Sequence, residues 1–429
     1  MKKYFILIVM VLFLSYINYA QELKADGTFI QAGLCGSWGD KEWGKEFEVM
    51  KESGMHYLII GAVAESYKRD PAVNYTLYPS ELPGTKMNRR LNGKDMVDVC
   101  LRNAEKYGIK VFIGIGMSDK WWDAPGIDST WLYDRMEFDN KVLDEVWDKY
   151  KKKYPNAFYG WYWVYEVANI DLTDAQVDVL VKAMNIQLDH INATGKKLPF
   201  MWCPFMNTNY GNADKYGKMW EYVFARIHTS DGDIFAPQDC VGAGGLKIEQ
   251  VDEWFKVLKK AVDTKPGLVM WSDVETFDQT DWSSATIDRV IKQMEIEKPY
   301  VENYITFAYS HYNSPNNSNP GFHKTYMDYL KNGKVEKTPP TSPENLNAVV
   351  KGDSVIISWK PASDNIGVCG YYIYRDDKLI LRKQFNQPVS ILSVSDKEIK
   401  TGETYTYKVQ AFDFADNISK AVTTKLKIK

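Results

Sequence analysis

Two stretches decide the fold: Phe158-Tyr-Gly-Trp-Tyr-Trp-Val-Tyr-Glu-Val167 and Leu268-Val-Met-Trp-Ser-Asp-Val-Glu-Thr-Phe277. Each is an aromatic-rich, strand-like run that closes on a glutamate, Glu166 in the first and Glu275 in the second. Side chains alternate along a strand, so Tyr162, Val164 and Glu166 share one face, and Trp271, Asp273 and Glu275 share another. A lone carboxylate pressed against a helix layer is costly to bury. At a strand's carboxyl end it meets water and stays available. Both glutamates are therefore expected at a mouth formed by strand ends.

Working outward, short apolar runs alternate with longer amphipathic ones from Thr28 to about Leu330, the pattern of a parallel sheet with crossover helices. The expected strands are Thr28–Leu34, Met55–Val63, Ile109–Ile115, Phe158–Val167, Leu198–Cys203, Asp233–Pro237, Leu268–Glu275 and Asn303–Ala308. Helices are expected over Glu42–Ser53, Lys94–Tyr107, Trp131–Tyr154, Asp174–Ala193, Ala213–His228, Ile248–Asp263, Ala285–Glu297 and His323–Leu330. Thr173 with Gln176 makes an N-terminal capping box, and Gly108 and Gly195 are helix stops. Eight such units predict an α/β fold, a (β/α)8 TIM barrel. A doubly wound open sheet is the competing arrangement, but it does not usually need eight units.

The flanks differ from this pattern. Lys2, Lys3, the apolar run Phe5–Leu14 and Asn18–Ala20 before Gln21 read as an export signal over residues 1–20. That run is too short to span a membrane comfortably and no second one follows, so no stable membrane insertion is expected. The expected location is periplasmic or secreted. The barrel is assigned to residues 21–336, and Lys337-Thr-Pro-Pro-Thr-Ser-Pro343 reads as an extended, semi-rigid linker. Residues 344–429 then alternate as strands without helices, among them Ser354–Trp359, Gly370–Arg375 and Thr404–Phe412.

Composition narrows the chemistry. The 429 residues are 45% hydrophobic and 14% aromatic, with 14 Trp and 28 Tyr whose flat faces suit sugar rings. Loss of Lys2 and Lys3 with the signal moves the formal charge from −3 to −5. No basic cluster is interleaved with aromatics, which argues against nucleic acid. Five dispersed cysteines form no CxxC pair, and five histidines offer no HxH after the first strand, so no metal and no cofactor are expected. Buried thiols are the simpler reading of the cysteines. Gly242-Ala-Gly-Gly245 could cradle phosphate but reads more simply as a tight turn, and no Gly-x-Ser-x-Gly elbow occurs.

Cleaving a sugar acetal takes one proton donor and one carboxylate on either side of the reacting carbon. Glu166, among Tyr162, Trp163 and Tyr165, is the candidate acid/base because desolvation raises a carboxyl pKa. Glu275 is the candidate nucleophile. Against this stands the ordinary case of a structural carboxylate at a strand end, paired to Arg or Tyr. Asp239, with Gln238, is read as a sugar-hydroxyl ligand, with capping of the glycine loop as its structural alternative. Asp273 is expected to hold a hydroxyl or orient Glu275, and Glu65 is a weaker contact. Trp38, Trp121, Trp122 and Trp271 stack on sugars if exposed and are core if buried. Tyr309 and His311 follow the eighth strand and are candidate substrate contacts, though a lone His is more often structural.

Two resemblances add to this reading. Pro343, Trp359 in Val355-Ile-Ile-Ser-Trp-Lys360, Pro361–Val368, Gly370–Arg375, Tyr405–Ala411 and Asp416-Asn417 resemble a bacterial fibronectin type III module, which implies a spacer. The larger domain resembles glycoside-hydrolase barrels of the large retaining clan, which implies an acid/base after strand four and a nucleophile after strand seven. More closely, Phe235-Ala-Pro-Gln-Asp239 with Val241-Gly242, and Met270-Trp-Ser-Asp-Val-Glu-Thr-Phe277, resemble a bacterial family of exported barrels of undefined function. One departure stands out: the clan's Asn before the acid/base is Tyr165 here.

The expectation is an exported, monomeric glycoside hydrolase acting on a carbohydrate polymer or glycan. A glycan-binding barrel without turnover is the alternative, and an adhesive scaffold lacking a cleft is the third.

Overall fold

The computed structural model describes residues 23–123, 128–384 and 390–429; the signal read over residues 1–20 lies outside them. Eight parallel strands close on themselves: β1 (Gly27–Ile30), β2 (Tyr57–Tyr67), β3 (Lys110–Ser118), β4 (Phe158–Trp163), β5 (Phe200–Trp202), β6 (Ile234–Phe235), β7 (Val269–Glu275) and β8 (Asn303–Phe307). Closure is made by β1, which pairs with β8 through Gly27–Ile305 and with β2 through Gly27–Tyr57. The open doubly wound sheet is thereby excluded.

Each strand sends one large apolar side chain to the axis: Phe29, Ile59, Phe112, Tyr162, Met201, Ile234, Trp271 and Ile305. This ring fills the barrel, so the interior is a packed core and chemistry is confined to its rim. Trp271 belongs to the ring, its indole 5.1 Å from Tyr57 and 6.2 Å from Phe112. The substrate role expected for Trp271 is therefore corrected: it is core.

The outer layer is α1 (Asp40–Glu52), α2 (Met96–Tyr107), α3 (Ser129–Val146), α4 (Asp174–Thr194), α5 (Ala213–Phe224), α6 (Val251–Val262), α7 (Ile287–Glu297) and α8 (Pro320–Asn332). Thr173 and Gln176 form the expected capping box on α4, and Gly108 and Gly195 end α2 and α4 at φ 73° and 70°. No described helix is long and apolar enough to cross a membrane.

Two strands end sooner than the sequence suggests. β1 stops at Ile30 because the chain turns into a short helix, Ala32–Cys35. β4 stops at Trp163 because Tyr165 is drawn outward by Arg135, whose Nε donates to its hydroxyl at 3.0 Å, and by Asp139. Arg135 and Asp139 form a buried ion pair at 2.8 Å. Tyr165 therefore anchors the strand end to α3, with its side chain on the helix side.

Beyond the barrel lie seven antiparallel strands: β9 (Glu344–Lys351), β10 (Ser354–Lys360), β11 (Val368–Arg375), β12 (Lys378–Lys383), β13 (Leu392–Asp396), β14 (Thr404–Asp413) and β15 (Val422–Lys427). They form a sandwich of β9-β10-β13 against β12-β11-β14-β15 around Ile357, Trp359, Tyr371, Ile373, Tyr407 and Val409. The spacer role expected of this module is corrected by its contacts. The Ile287 N–H donates to Phe414 O at 2.7 Å, and Cys369, Phe412 and Phe414 join the apolar layer that covers the barrel. Arg382 and Gln384 reach the segment that follows β7. The sandwich is docked.

Candidate active site at the barrel mouth

The carboxyl ends of the strands open into a cleft of about 1120 Å³, lined among others by Gln31, Glu65, Tyr67, Arg69, Arg90, Asp119, Trp122, Val164 and Glu166. Glu166 is half-buried in its floor, one alternation beyond Val164 and two beyond Tyr162. The Trp121 indole N–H donates to the Glu166 carbonyl at 3.1 Å, which fixes the backbone that presents the carboxyl group. Burial pushes this carboxyl up to about 7, opposed by a hydrogen bond from Gln238.

Glu275 ends β7 on the inner face, at 2% exposure, and its Oε2 accepts the Ala243 N–H at 2.5 Å. Gly242 makes this fit: a side-chain carbon there would lie 3.1 Å from that oxygen and 2.5 Å from Phe277 O. Loss of solvation pushes Glu275 up to about 8, and the charges of Asp239 and Glu166 push the same way. The Ala243 N–H and the Arg289 guanidinium pull it down. The Glu166 charge thus reaches Glu275.

Asp273 lies deeper, at 1% exposure, with Oδ1 lacking a hydrogen-bond partner. Burial, then the charges of Glu275, Asp239 and Glu166, raise its pKa well above the carboxylate range. Its depth corrects the hydroxyl-holding role. Gln238 sits beside it in a bridge between the segments after β6 and within β7, its amide donating to Cys203 O at 3.2 Å.

Asp239 is corrected from sugar ligand to structural acid. It is fully buried, accepts from Val241 N at 3.0 Å and from the Gln293 amide of α7, and is paired with the buried Glu297. Its side chain belongs to the helix side, where no glycan reaches. Trp121 is fully buried against Trp163 and Tyr165, and Tyr309 is buried with its hydroxyl on His323 and Ser53. Neither offers a stacking face. Trp38 packs edge-on to Trp43 at 5.1 Å as part of the α1 layer.

Trp122 remains, 50% exposed on the cleft. Its replacement by alanine is expected to weaken binding of a flat-faced ligand in the cleft roughly tenfold, the loss of about 1–1.5 kcal/mol of aromatic contact. Calorimetric titration measures it. Glu65 is half-buried in the same cleft and accepts the Tyr67 hydroxyl at 2.5 Å; burial raises its pKa. His311 accepts the Gln31 N–H at 3.0 Å on Nε2, and burial lowers its pKa to about 4, so at neutral pH it is an uncharged ring at the rim.

Other features beyond the strand ends escaped the sequence reading. Phe277 stacks on Trp282 (5.6 Å, 3°) and on Tyr312 (5.2 Å, 24°), and Trp282 is 65% exposed. Arg69, Arg89 and Arg90 also line the cleft. They ride on residues 68–95, a connection between β2 and α2 far longer than the usual βα loop, and that length was the available signal.

A family model described as "Domain of unknown function (DUF4434)" matches residues 25–319. A solved structure from Bacteroides thetaiotaomicron VPI-5482, titled a "putative alpha-L-fucosidase", superposes with a TM-score of 0.59 at 25% identity over 73% of this chain and 94% of that one. An amylopullulanase of Thermoanaerobacterium saccharolyticum is 34% identical over 88 residues, which is 20% of this chain and 7% of that protein. Chitinase Chi52 of Paenibacillus xylanexedens is 32% identical over 90 residues, 21% of this chain and 16% of its own length. This chain therefore spans only a small part of those curated relatives.

Proposed function

The chain belongs to the family of the domain of unknown function DUF4434, and from that premise we propose that its barrel is an exported glycoside hydrolase working by two carboxyl groups, Glu166 and Glu275. The observation that carries this reading is Glu166: a carboxyl group just beyond β4, open to the cleft yet desolvated enough to hold its proton to about pH 7. A proton donor of that strength is what a departing sugar oxygen needs at neutral pH. The likeness to the alpha-L-fucosidase-named barrel, and over 20–21% of this chain to an amylopullulanase and a chitinase, supports a carbohydrate substrate.

In this reading Glu166 donates its proton to the glycosidic oxygen as the carbon–oxygen bond breaks. The Glu275 carboxylate bonds to the sugar carbon. Water, deprotonated by Glu166, then displaces Glu275 and restores both groups. The Ala243 N–H and Arg289 oppose the burial that favours the protonated form of Glu275, and so help supply the carboxylate that this sequence requires. Trp122 offers a flat face to the sugar rings in the cleft, and Trp282, exposed beyond β7, is a candidate second face. Export after removal of residues 1–20 would give such an enzyme access to external glycans.

One observation favours the non-catalytic alternative, a glycan-binding barrel: Glu275 is almost wholly enclosed by the Gly242–Ala243 turn. A panel of chromogenic glycosides and oligosaccharides decides between the two. Release by the wild type that is lost separately in Glu166→Gln and Glu275→Gln supports the hydrolase. Binding without release in all three proteins establishes the binder.

A further inference from the structure

Resting on the reading of the mouth as a glycan cleft, we propose that it selects sugars bearing an anionic substituent, a ring carboxylate or a sulfate, held by Arg69, Arg89 and Arg90.

The three guanidinium groups share one wall. The chain leaves β2 and returns as the strand Asp70–Thr76, then Thr85–Met87, extending the sheet beyond the barrel rim. The turn Arg89–Leu91 follows, and its backbone is fixed. The Asn88 N–H donates to Thr76 O at 2.9 Å, the Asn88 side chain accepts the Arg90 N–H at 3.0 Å, and Leu91 is fully buried. Both arginine side chains are exposed on this anchored turn and line the cleft. Arg90 reaches toward the loop after β1, its Nη1 3.7 Å from the place a side-chain carbon on Gly33 would take. Arg69 lies over the Tyr67 ring at 5.2 Å.

Among the described residues none of the three has a carboxylate partner, and unlike Arg226 and Arg289, which also form no ion pair but donate to backbone carbonyls, they line the cleft. Arg102, Arg135, Arg375 and Arg382 each form an ion pair, and Lys68 beside them is tied to Asp123 at 2.5 Å. Among the described residues Arg69, Arg89 and Arg90 form none. Glu65, the acid close to Arg90, is occupied by the Tyr67 hydroxyl. The protein as a whole carries a net charge of −3, so this wall runs against the overall sign. Glu65, Asp119 and Glu166 line the same cleft, so the positive charge is local to the arginine wall, and a local concentration of one sign draws in ligand groups of the opposite sign. Guanidinium forks match carboxylate and sulfate oxygens two at a time, and Trp122 in the same cleft gives the sugar ring a face to lie on.

The test uses the full chain carrying Glu166→Gln, so that binding is read without turnover. Its probes are an oligouronate, its methyl-esterified counterpart, a sulfated oligosaccharide and its desulfated counterpart. At low ionic strength at least one anionic probe is expected to bind ten- to a hundredfold more tightly than its neutral counterpart. That preference should fall with added salt and shrink to within about threefold when Arg89→Gln and Arg90→Gln are added. Unchanged thermal melting shows that these exposed substitutions leave the fold intact. Equal affinity for charged and neutral members, a preference that survives the arginine changes, or no binding by any anionic probe each overturns the proposal. Which of the two anionic probes binds identifies carboxylate or sulfate as the recognised group. Turnover by the wild type is scored separately. Anionic glycans bound but never cleaved would leave this inference standing and remove the hydrolase, whereas cleavage of neutral glycans without charge preference would do the reverse.

Discussion

Glu166→Gln is expected to lower kcat about 10²–10⁴-fold on glycosides with poor leaving groups, and far less on those whose leaving oxygen needs no proton. The pH profile gives the sharper result. Activity requires Glu166 protonated and Glu275 ionised. The protonated fraction of Glu166 shrinks as pH rises past about 7 and the ionised fraction of Glu275 shrinks as pH drops below about 8, so their product, and with it activity, falls on both sides of that interval. The productive form is a minority species, and the bell should peak between those two values. Removing the Glu166 carboxyl abolishes the alkaline limb and leaves the acid one. A glutamine variant that keeps both limbs would show that the proton donor lies elsewhere.

The same substitution should stabilise the protein at high pH. Burial raises Glu166 above its ordinary value, so the folded state binds that proton more tightly than the unfolded chain does. The cost of ionising it in place is absent below the usual carboxylate pKa. It grows as pH rises from about 4.5 to about 7 and is then constant. At pH 8 the variant should exceed the wild type by about 1–3 kcal/mol, discounted for partial exposure, and match it near pH 4. Chemical denaturation at the two pH values measures this. Loss of activity with gain of stability is the pattern of a residue kept for chemistry.

The barrel was legible because its eight apolar runs, one large residue each toward the axis, follow from strand alternation alone. Phe29, Tyr162 and Trp271 hold to that rule. Glu166 and Glu275 were found the same way, Glu166 by carrying the alternation three residues past the end of β4 and Glu275 as the last inward position of β7. Asp239 was misread because alternation was not carried through β6: Ile234, Ala236 and Gln238 point inward, which sends Asp239 to the helices. Trp121 and Trp122 share a loop and a residue type, and only the turn at Asp119–Trp122 decides that one is buried and the other exposed. The arginine wall belongs to an excursion with no periodicity of its own, where strand and helix rules are silent. The sandwich was legible as a fold from Trp359 and its alternating strands. Its docking was not, because Arg382 and Gln384 look like ordinary edge-strand residues until their partners are known.

Those partners make Arg382→Ala the largest structural effect expected outside the barrel core. Arg382 Nη1 donates to Asp281 Oδ1 at 2.9 Å and to Ser283 Oγ at 3.1 Å, and Nη2 to Ser284 O at 3.3 Å. Gln384 adds its N–H to Asp281 Oδ2 at 2.9 Å and its amide to Ser284 O at 2.7 Å. The alanine leaves the carboxylate of Asp281 in a nearly buried place without its cation, a loss of about 3–5 kcal/mol. It also frees the hairpin Phe277–Asp278 and Ser283–Ser284, which carries the Trp282 ring. If that ring is a sugar platform, KM should rise with the drop in stability while kcat changes little, because Glu275 precedes the hairpin and keeps its own bond to Ala243. Arg382→Lys separates charge from geometry: an ammonium can meet Asp281 but cannot also span to Ser284, so it should recover only part of both losses. Trp282→Ala then isolates the platform, raising KM without lowering the melting temperature. Were Arg382→Ala to melt like the wild type, the sandwich would be a passenger on the barrel, and its buried contacts would have no hold on the mouth.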